Sequence, residues 1–168
     1  MKQMTTDNLA AAYAGESQAH MKYAIFADVA EKEGMADIAR MFKAISYAEL
    51  VHARNHLREL KKIKTTAENL QTAIGGETYE VDEMYPAFIE VAKLQDEKGA
   101  VRSFNFAIQA EKIHAVMYEK ARLAAEAGND FVVGRISICP TCGYTHYEGD
   151  MPDFCPVCGV PKDKFVAF

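Results

Sequence analysis

The chain has 168 residues, is 49% hydrophobic and carries a net charge of -5. That length allows one good-sized core, or one core with a small appendage. The acidic balance argues against nucleic acid and anionic membrane surfaces as partners. No apolar run approaches the roughly 20 residues that span a bilayer, and Met1 to Asp7 contain no apolar stretch of a secretion signal. The expectation is a cytoplasmic protein that binds neither membrane nor nucleic acid. All four cysteines fall between Cys139 and Cys158, so a cysteine-free body precedes a cysteine-rich tail. In a reducing compartment such clustering points to metal binding rather than structural disulfides.

In chain order, a helical period predicts a first helix from about Thr6, as N-cap, to Glu33, interrupted by Gly34. Its stripe runs Leu9, Tyr13, Glu16, Ala19, Tyr23, Phe26, Ala30. A second helix is expected from Ala36 to Lys61, with stripe Ile38, Met41/Phe42, Ile45, Glu49, His52. Thr65-Thr66-Ala67-Glu68 resembles a capping box that opens a short helical piece, weakened at Gly75-Gly76. A third long helix is expected over Glu77 to Glu97, with Glu77, Glu80, Met84, Phe88 and Val91 on its stripe. Pro86 removes a backbone donor there and predicts a kink or bulge. The fourth helix is expected from Ala100 to Ala127, ending near Gly128, with Phe104, Ile108, Glu111, His114 and Tyr118 inward. Beyond it, Phe131–Val133 and Ile136–Ile138 read as short extended pieces. The expected division is a four-helix bundle over residues 1–130 and a small metal-knuckle domain over 131–168.

The helical body repeats itself. Gly15-Glu16 matches Gly76-Glu77 and, with one extra residue in the second copy, Tyr23 matches Tyr85, Glu49 matches Glu111 and His52 matches His114. Each half thus supplies a helix with a lone Glu and a helix with Glu-x-x-His, whose i, i+3 spacing puts both side chains on one face. Carboxylates in an apolar seam lose hydration and repel one another, so four or five converging on one core require cations. A single Glu-x-x-His is common by chance; two, related by a repeat and each paired with a Glu, form the ligand set of di-iron and di-manganese bundles. Oxygen and imidazole donors suit redox iron, while manganese and zinc use them too. The metal ligands read from this pattern are Glu16, Glu49, His52, Glu77, Glu80, Glu111 and His114. Tyr23 and Tyr85 are expected to hydrogen-bond ligand carboxylates. His20 and His56 read as surface or supporting residues, and Met21, Met35, Met41 and Met84 as packing.

Cys139-Pro140-Thr141-Cys142-Gly143 and Cys155-Pro156-Val157-Cys158-Gly159 are two matched knuckles separated by twelve residues. Such loops set four thiolates tetrahedrally, for iron or for zinc. Tyr144, Phe154, Phe165 and Phe168 are expected to form the small core of this tail, and His146 is expected in a loop, outside the ligand set.

Taken together, Ala14-Gly15-Glu16-Ser17-Gln18-Ala19, Glu49-Leu50-Val51-His52, Gly76-Glu77-Thr78-Tyr79-Glu80, Glu83-Met84-Tyr85-Pro86, Glu111-Lys112-Ile113-His114 and the cysteine knuckles resemble the rubrerythrins over nearly the whole chain. The resemblance implies a ferritin-like four-helix bundle with a di-iron site, followed by a rubredoxin-like domain with one iron on Cys139, Cys142, Cys155 and Cys158. It implies a non-haem iron peroxidase that reduces hydrogen peroxide to water in oxidative-stress defence. Glu49 and Glu111 would bridge the irons, Glu16, Glu77 and His114 would be terminal ligands, and Glu80 and His52 would exchange on one iron as it is reduced. Glu80 is also where the repeat breaks, since its counterpart region, Gln18-Ala19, has no acid. The chain has no G-x-G-x-x-G nucleotide fingerprint, so NADH would act only through an external electron donor, a rubredoxin or a flavoprotein reductase. The resemblance further implies a homodimer, with helix exchange between chains permitted by the Gly75-Gly76 joint. Two other readings are an iron-storing ferritin type, which leaves the cysteines idle, and a zinc-ribbon interaction protein, which leaves the carboxylates unexplained.

Overall fold

A computed structural model describes residues 1–168, and its contacts divide the chain into two compact units, Met1–Lys64 and Thr65–Phe168. No helix is long and apolar enough to cross a membrane.

The first unit is a hairpin of α1 (Gln3–Lys32) and α2 (Ala36–Glu59). Helix α1 starts three residues before the expected cap. Thr6 lies inside it, and its hydroxyl turns back onto the Lys2 carbonyl at 3.3 Å. The turn is made by Gly34 at φ 77°, with the Met35 amide bonded to the Ala30 carbonyl at 2.8 Å. This left-handed residue closes the helix end, and glycine takes that conformation without a Cβ penalty. The seam is built from small side chains: Ala27 and Ala30 on α1, and Ala39, Ser46 and Ala53 at seven-residue spacing on α2. Small seam residues let two backbones approach closely. Ser46 sits there without a polar cost because its hydroxyl donates to the His20 carbonyl at 2.9 Å. The Lys43–Glu31 ion pair joins the two helices near the turn.

The large apolar residues of the expected inward stripes are half-exposed instead: Phe26, Ile38, Met41 and Ile45 all keep 44% or more of their surface. Of the expected stripe residues, Ala30 does lie buried in the hairpin seam, while the other seam residues, Ala27, Ala39, Ser46 and Ala53, stand one position to the side of the stripes.

The second unit holds α3 (Thr66–Tyr79), a π-helical turn (Glu80–Met84), α4 (Tyr85–Leu94) and α5 (Lys98–Glu126), followed by the cysteine-rich segment. The Thr65 capping box forms as expected, with the Thr65 hydroxyl accepting from the Glu68 amide and the Glu68 carboxylate accepting from the Thr65 amide. The expected weak joint at Gly75-Gly76 is absent: helix runs through both glycines, and the short piece and the third long helix are one continuous rod as far as Leu94. The distortion predicted from Pro86 is the π-helical turn just before it, where the Tyr85 amide reaches the Glu80 carbonyl five residues back. That turn takes up one extra residue. Seven positions separate Glu16 from Tyr23 and eight separate Glu77 from Tyr85, so the π-helical turn is where the second repeat hides its insertion.

The tail forms a three-stranded antiparallel sheet in the order β2-β1-β3, from β1 (Ser137–Ile138), β2 (Thr145–His146) and β3 (Val166–Ala167). Phe131–Val133, expected to be extended strand, pairs with nothing in the sheet, and His146 stands in β2 rather than in a loop. Of the four aromatic residues expected in the small core, Tyr144 and Phe165 pack edge to face at 6.4 Å, whereas Phe154 and Phe168 are exposed. Phe106 of α5 packs against the cysteine cluster, anchoring the tail to this unit's own helix.

The alanine seam leads to a stability prediction. Ala39→Leu should destabilise the protein by about 1–3 kcal/mol, the usual cost of forcing methylenes into a filled seam, read as a lower urea midpoint by circular dichroism. An unchanged midpoint would show that the two helices can separate at no cost.

Candidate metal centres

In the first unit, Glu16 from α1 and Glu49 and His52 from α2 bring one ligand atom each within 4.8 Å of one another. His52 Nδ1 lies 2.8 Å from Glu49 Oε2, with Glu49 largely shielded and the imidazole half-exposed. In the second unit, Glu77 from α3 and Glu111 and His114 from α5 meet in the same way. Here His114 Nδ1 is 2.7 Å from Glu111 Oε2 and 3.9 Å from Glu77 Oε2, and all three side chains are mostly shielded. The i, i+3 spacing pairs each Glu with its His, and packing of the two helices in each unit brings the lone Glu to them.

Electrostatics around the second triad show strain between like charges. Burial, a hydrogen bond to Glu111 and the charges of Glu111 and Glu80 together raise Glu77 to about 8. Glu80, at the start of the π-helical turn, is raised by burial and then by Glu111. It stands beside the triad but is not one of its three converging groups. Burial raises the Tyr85 hydroxyl, helped by the charges of Glu80, Glu111 and Glu77, while its ring packs on Phe104 at 6.0 Å. Tyr23 packs its ring against Phe26 and Phe42. No hydrogen bond from either tyrosine to a carboxylate forms within its own unit.

Two further residues stand at this triad. Tyr118 is raised by burial and by the charges of Glu77 and Glu111; one turn beyond His114 on the same face of α5, it was legible as a stripe residue but not as a neighbour of the carboxylates. Thr145 is buried, and its hydroxyl lies 2.8 Å from His114 Nε2. No local spacing joins residues 31 apart, so the sequence held no signal for that contact. Of the remaining histidines, His20 pairs through Nδ1 with Ser46, and His146 pairs through Nε2 with the Gly149 carbonyl at 3.2 Å.

The four cysteines are free thiols, converging on one another, with Cys139–Cys158 and Cys142–Cys155 sulfurs 3.5 Å apart. The two knuckles are near copies. The Gly143 and Gly159 amides bond back to the Cys139 and Cys155 carbonyls, and both glycines have φ 78°. Burial would raise Cys139, but the amides of Thr141 and Cys142 and the neighbouring thiols Cys158 and Cys142 bring it down to about 7. Burial pushes Cys142 and Cys158 up, against single amides of Tyr144 and Val160. Such a set, part thiolate at neutral pH and ringed by amide donors, fits a thiophilic metal.

The same donor chemistry fits a cation at each carboxylate triad, because a positive charge removes the repulsion that keeps Glu77 protonated. Without metal, folded Glu77 holds a proton up to about pH 8 that the unfolded chain releases near 4.5. The folded state therefore binds more protons across that window, and metal-free stability should fall as pH rises through it. Thermal melts of metal-free protein at about pH 5 and about pH 8 test this, with Glu77→Gln expected to flatten the slope. An unaltered slope in the variant would place the titration elsewhere.

A family model described as rubrerythrin matches residues 7–122, and one described as the rubrerythrin rubredoxin-like domain matches residues 138–166. The chain is 43% identical to rubrerythrin-2 of Clostridium acetobutylicum, covering 98% of this chain and 97% of the relative. It is 37% identical to nigerythrin of Nitratidesulfovibrio vulgaris, covering 98% and 86%. Among solved structures, the fully reduced, all-ferrous state of nigerythrin superposes with a TM-score of 0.56 at 36% identity, covering 98% of this chain and 86% of that one. The fold class is thus mostly helical and ferritin-like, with a small rubredoxin-like domain, and the cofactors are a non-haem di-iron centre and a four-cysteine iron. The chain belongs to the rubrerythrin family.

Proposed function

We propose that this protein is a peroxidase that reduces hydrogen peroxide to water, with electrons entering through the four-cysteine iron. The observation that carries the reading is the presence, in one chain, of carboxylate–histidine triads and a complete set of four converging thiols. In this reading the functional boundary lies near residue 130, with residues 1–130 for peroxide chemistry and 131–168 for electron entry. Each peroxide takes up two electrons and two protons and yields two waters; the iron pair, when bound, supplies the electrons.

The protein's own residues hold that pair and manage the protons. Glu49 and Glu111, each beside its own histidine, would be the shared ligands of the pair, with Glu16, Glu77 and His114 as terminal ligands; the convergence of each triad supports this. Glu80, beside its triad, and His52, with 54% of its side chain exposed, would be the ligands that exchange on one iron. Tyr85 and Tyr118, kept protonated by burial beside carboxylates, and Tyr23 on the matching face, steady the ligands and hold protons at their hydroxyls. The reductant is an external rubredoxin or NADH-linked flavoprotein, and the setting is cytoplasmic oxidative-stress defence.

Each unit carries half of the family's ligand set, one Glu and one Glu-x-x-His, and exposes large apolar residues on its helices. We propose a homodimer in which each di-iron site uses one hairpin of each kind, with hairpins exchanged between chains. Co-refolding Glu49→Ala chains with Glu111→Ala chains tests the exchange. An exchanged heterodimer regains one intact site and its iron, whereas an unexchanged one has a lesion in both sites and regains none.

The activity is tested with anaerobically iron-loaded protein. About three irons per chain are expected, one on thiolates and two on carboxylates. Peroxide consumption driven by a reductase should exceed that of free iron. Cys142→Ala should keep the carboxylate-bound iron yet lose most donor-driven turnover. Full turnover in that variant would mean that electrons enter elsewhere.

A further inference from the structure

His114 is the one metal-ligand candidate whose second ring nitrogen is held by a buried partner, and that partner belongs to the cysteine-rich segment. His114 Nδ1 faces Glu111 Oε2 at 2.7 Å, and its Nε2 lies 2.8 Å from Thr145 Oγ1. The Thr145 hydroxyl in turn donates to the Gly143 carbonyl at 3.2 Å. A hydroxyl has one proton. A carbonyl can only accept, so when the hydroxyl gives its proton to Gly143, Thr145 accepts from an Nε2–H of His114, the arrangement that a metal on Nδ1 requires. Nδ1, beside Glu111 Oε2, is then the nitrogen left to give its lone pair to a cation shared with Glu77 and Glu111 when one is bound. Thr145 is only 3% exposed, so water does not compete for this contact.

Its place is fixed twice over. β2 pairs Thr145 with Ile138 of β1, and the Cys139 amide bonds to the carbonyl of Tyr144 beside it. Phe106 of α5 packs on the cysteine cluster two turns before His114. The matching histidine of the first unit, His52, has a half-exposed side chain and a hydrogen bond on Nδ1 alone.

We propose that Thr145 is a positioning residue: it fixes His114 in the tautomer that presents Nδ1 to a metal, and through Gly143 it ties that ligand to the Cys142 knuckle. The repeat symmetry of the two triads is thereby broken from outside the helices. His114 is held at both ring nitrogens, and His52 at Nδ1 alone. Groups that orient a ligating histidine in this way typically contribute about 10–100-fold to metal affinity.

This inference rests on the metal-site reading above, and the experiment separates the two. The full chain is loaded with zinc, which is diamagnetic, and the His114 Nε2–H resonance and the zinc affinity of the carboxylate site are measured. In the unaltered protein the Nε2–H proton should be downfield and protected from exchange. Absence of zinc at the carboxylates would sink the site reading itself. In Thr145→Val, which keeps the β-branched shape that β2 packs, the resonance should move upfield and lose protection, and zinc affinity should fall by about tenfold or more. Thr145→Ser should restore both. An Nε2–H resonance unchanged in Thr145→Val overturns the proposal whatever the affinity does, because an affinity loss alone would then be a packing effect.

Discussion

Carboxylates shielded by helices cannot all stay ionised beside one another unless a cation joins them, and much of this protein is arranged around that constraint. Glu77 shows it most directly: burial and the neighbouring acids hold its proton to about pH 8. A divalent or trivalent ion removes the conflict by supplying opposite charge where the oxygens already converge. The ligand side chains come from long helices, so their spacing is set by the helical repeat rather than by loops, and each triad forms from only two helices. Metal binding and helix packing are therefore linked, and the carboxylates that weaken the metal-free fold strengthen the loaded one.

The two halves of the helical repeat start from the same plan and diverge in physical ways. The first hairpin is regular, and its histidine is half-exposed. In the second, an extra residue before Pro86 forces a π-helical turn that starts at Glu80, adding an acid that the first half lacks. Pro86 itself cannot supply an amide, so the widened turn is the local solution that keeps the helix continuous. The cysteine-rich segment adds a further asymmetry through Thr145. The two near-symmetric triads thus become unequal, one with an acid beside it and a buried hydroxyl on its histidine, the other with neither.

The cysteine domain has a different logic. Its sheet is only two residues long per strand and could not hold itself together by apolar burial. The knuckles supply the missing order. Each turns tightly at a left-handed glycine and points a backbone amide at sulfur, and in the first knuckle Cys139 is lowered to about 7, so that the loops are preshaped for a metal that then completes the domain.

The sequence by itself determined a great deal: the helical periods, the Thr65 capping box, the repeated Glu and Glu-x-x-His pattern, the paired knuckles and the distortion at Pro86. All of these depend on spacings of a few residues, and backbone geometry converts such spacings directly into shared faces. Other features escaped it. Which apolar face closes the hairpin was decided by alanines that allow close approach, not by the larger residues that mark the stripe. The glycine pair at 75–76 did not break its helix, because propensity is a small term that tertiary packing overrides. Phe154 and Phe168 stayed outside the small core, since very short strands leave room for few side chains there. Tyr118 beside the carboxylates and Thr145 on His114 depend on contacts between distant parts of the chain, and only the tertiary structure could bring them together.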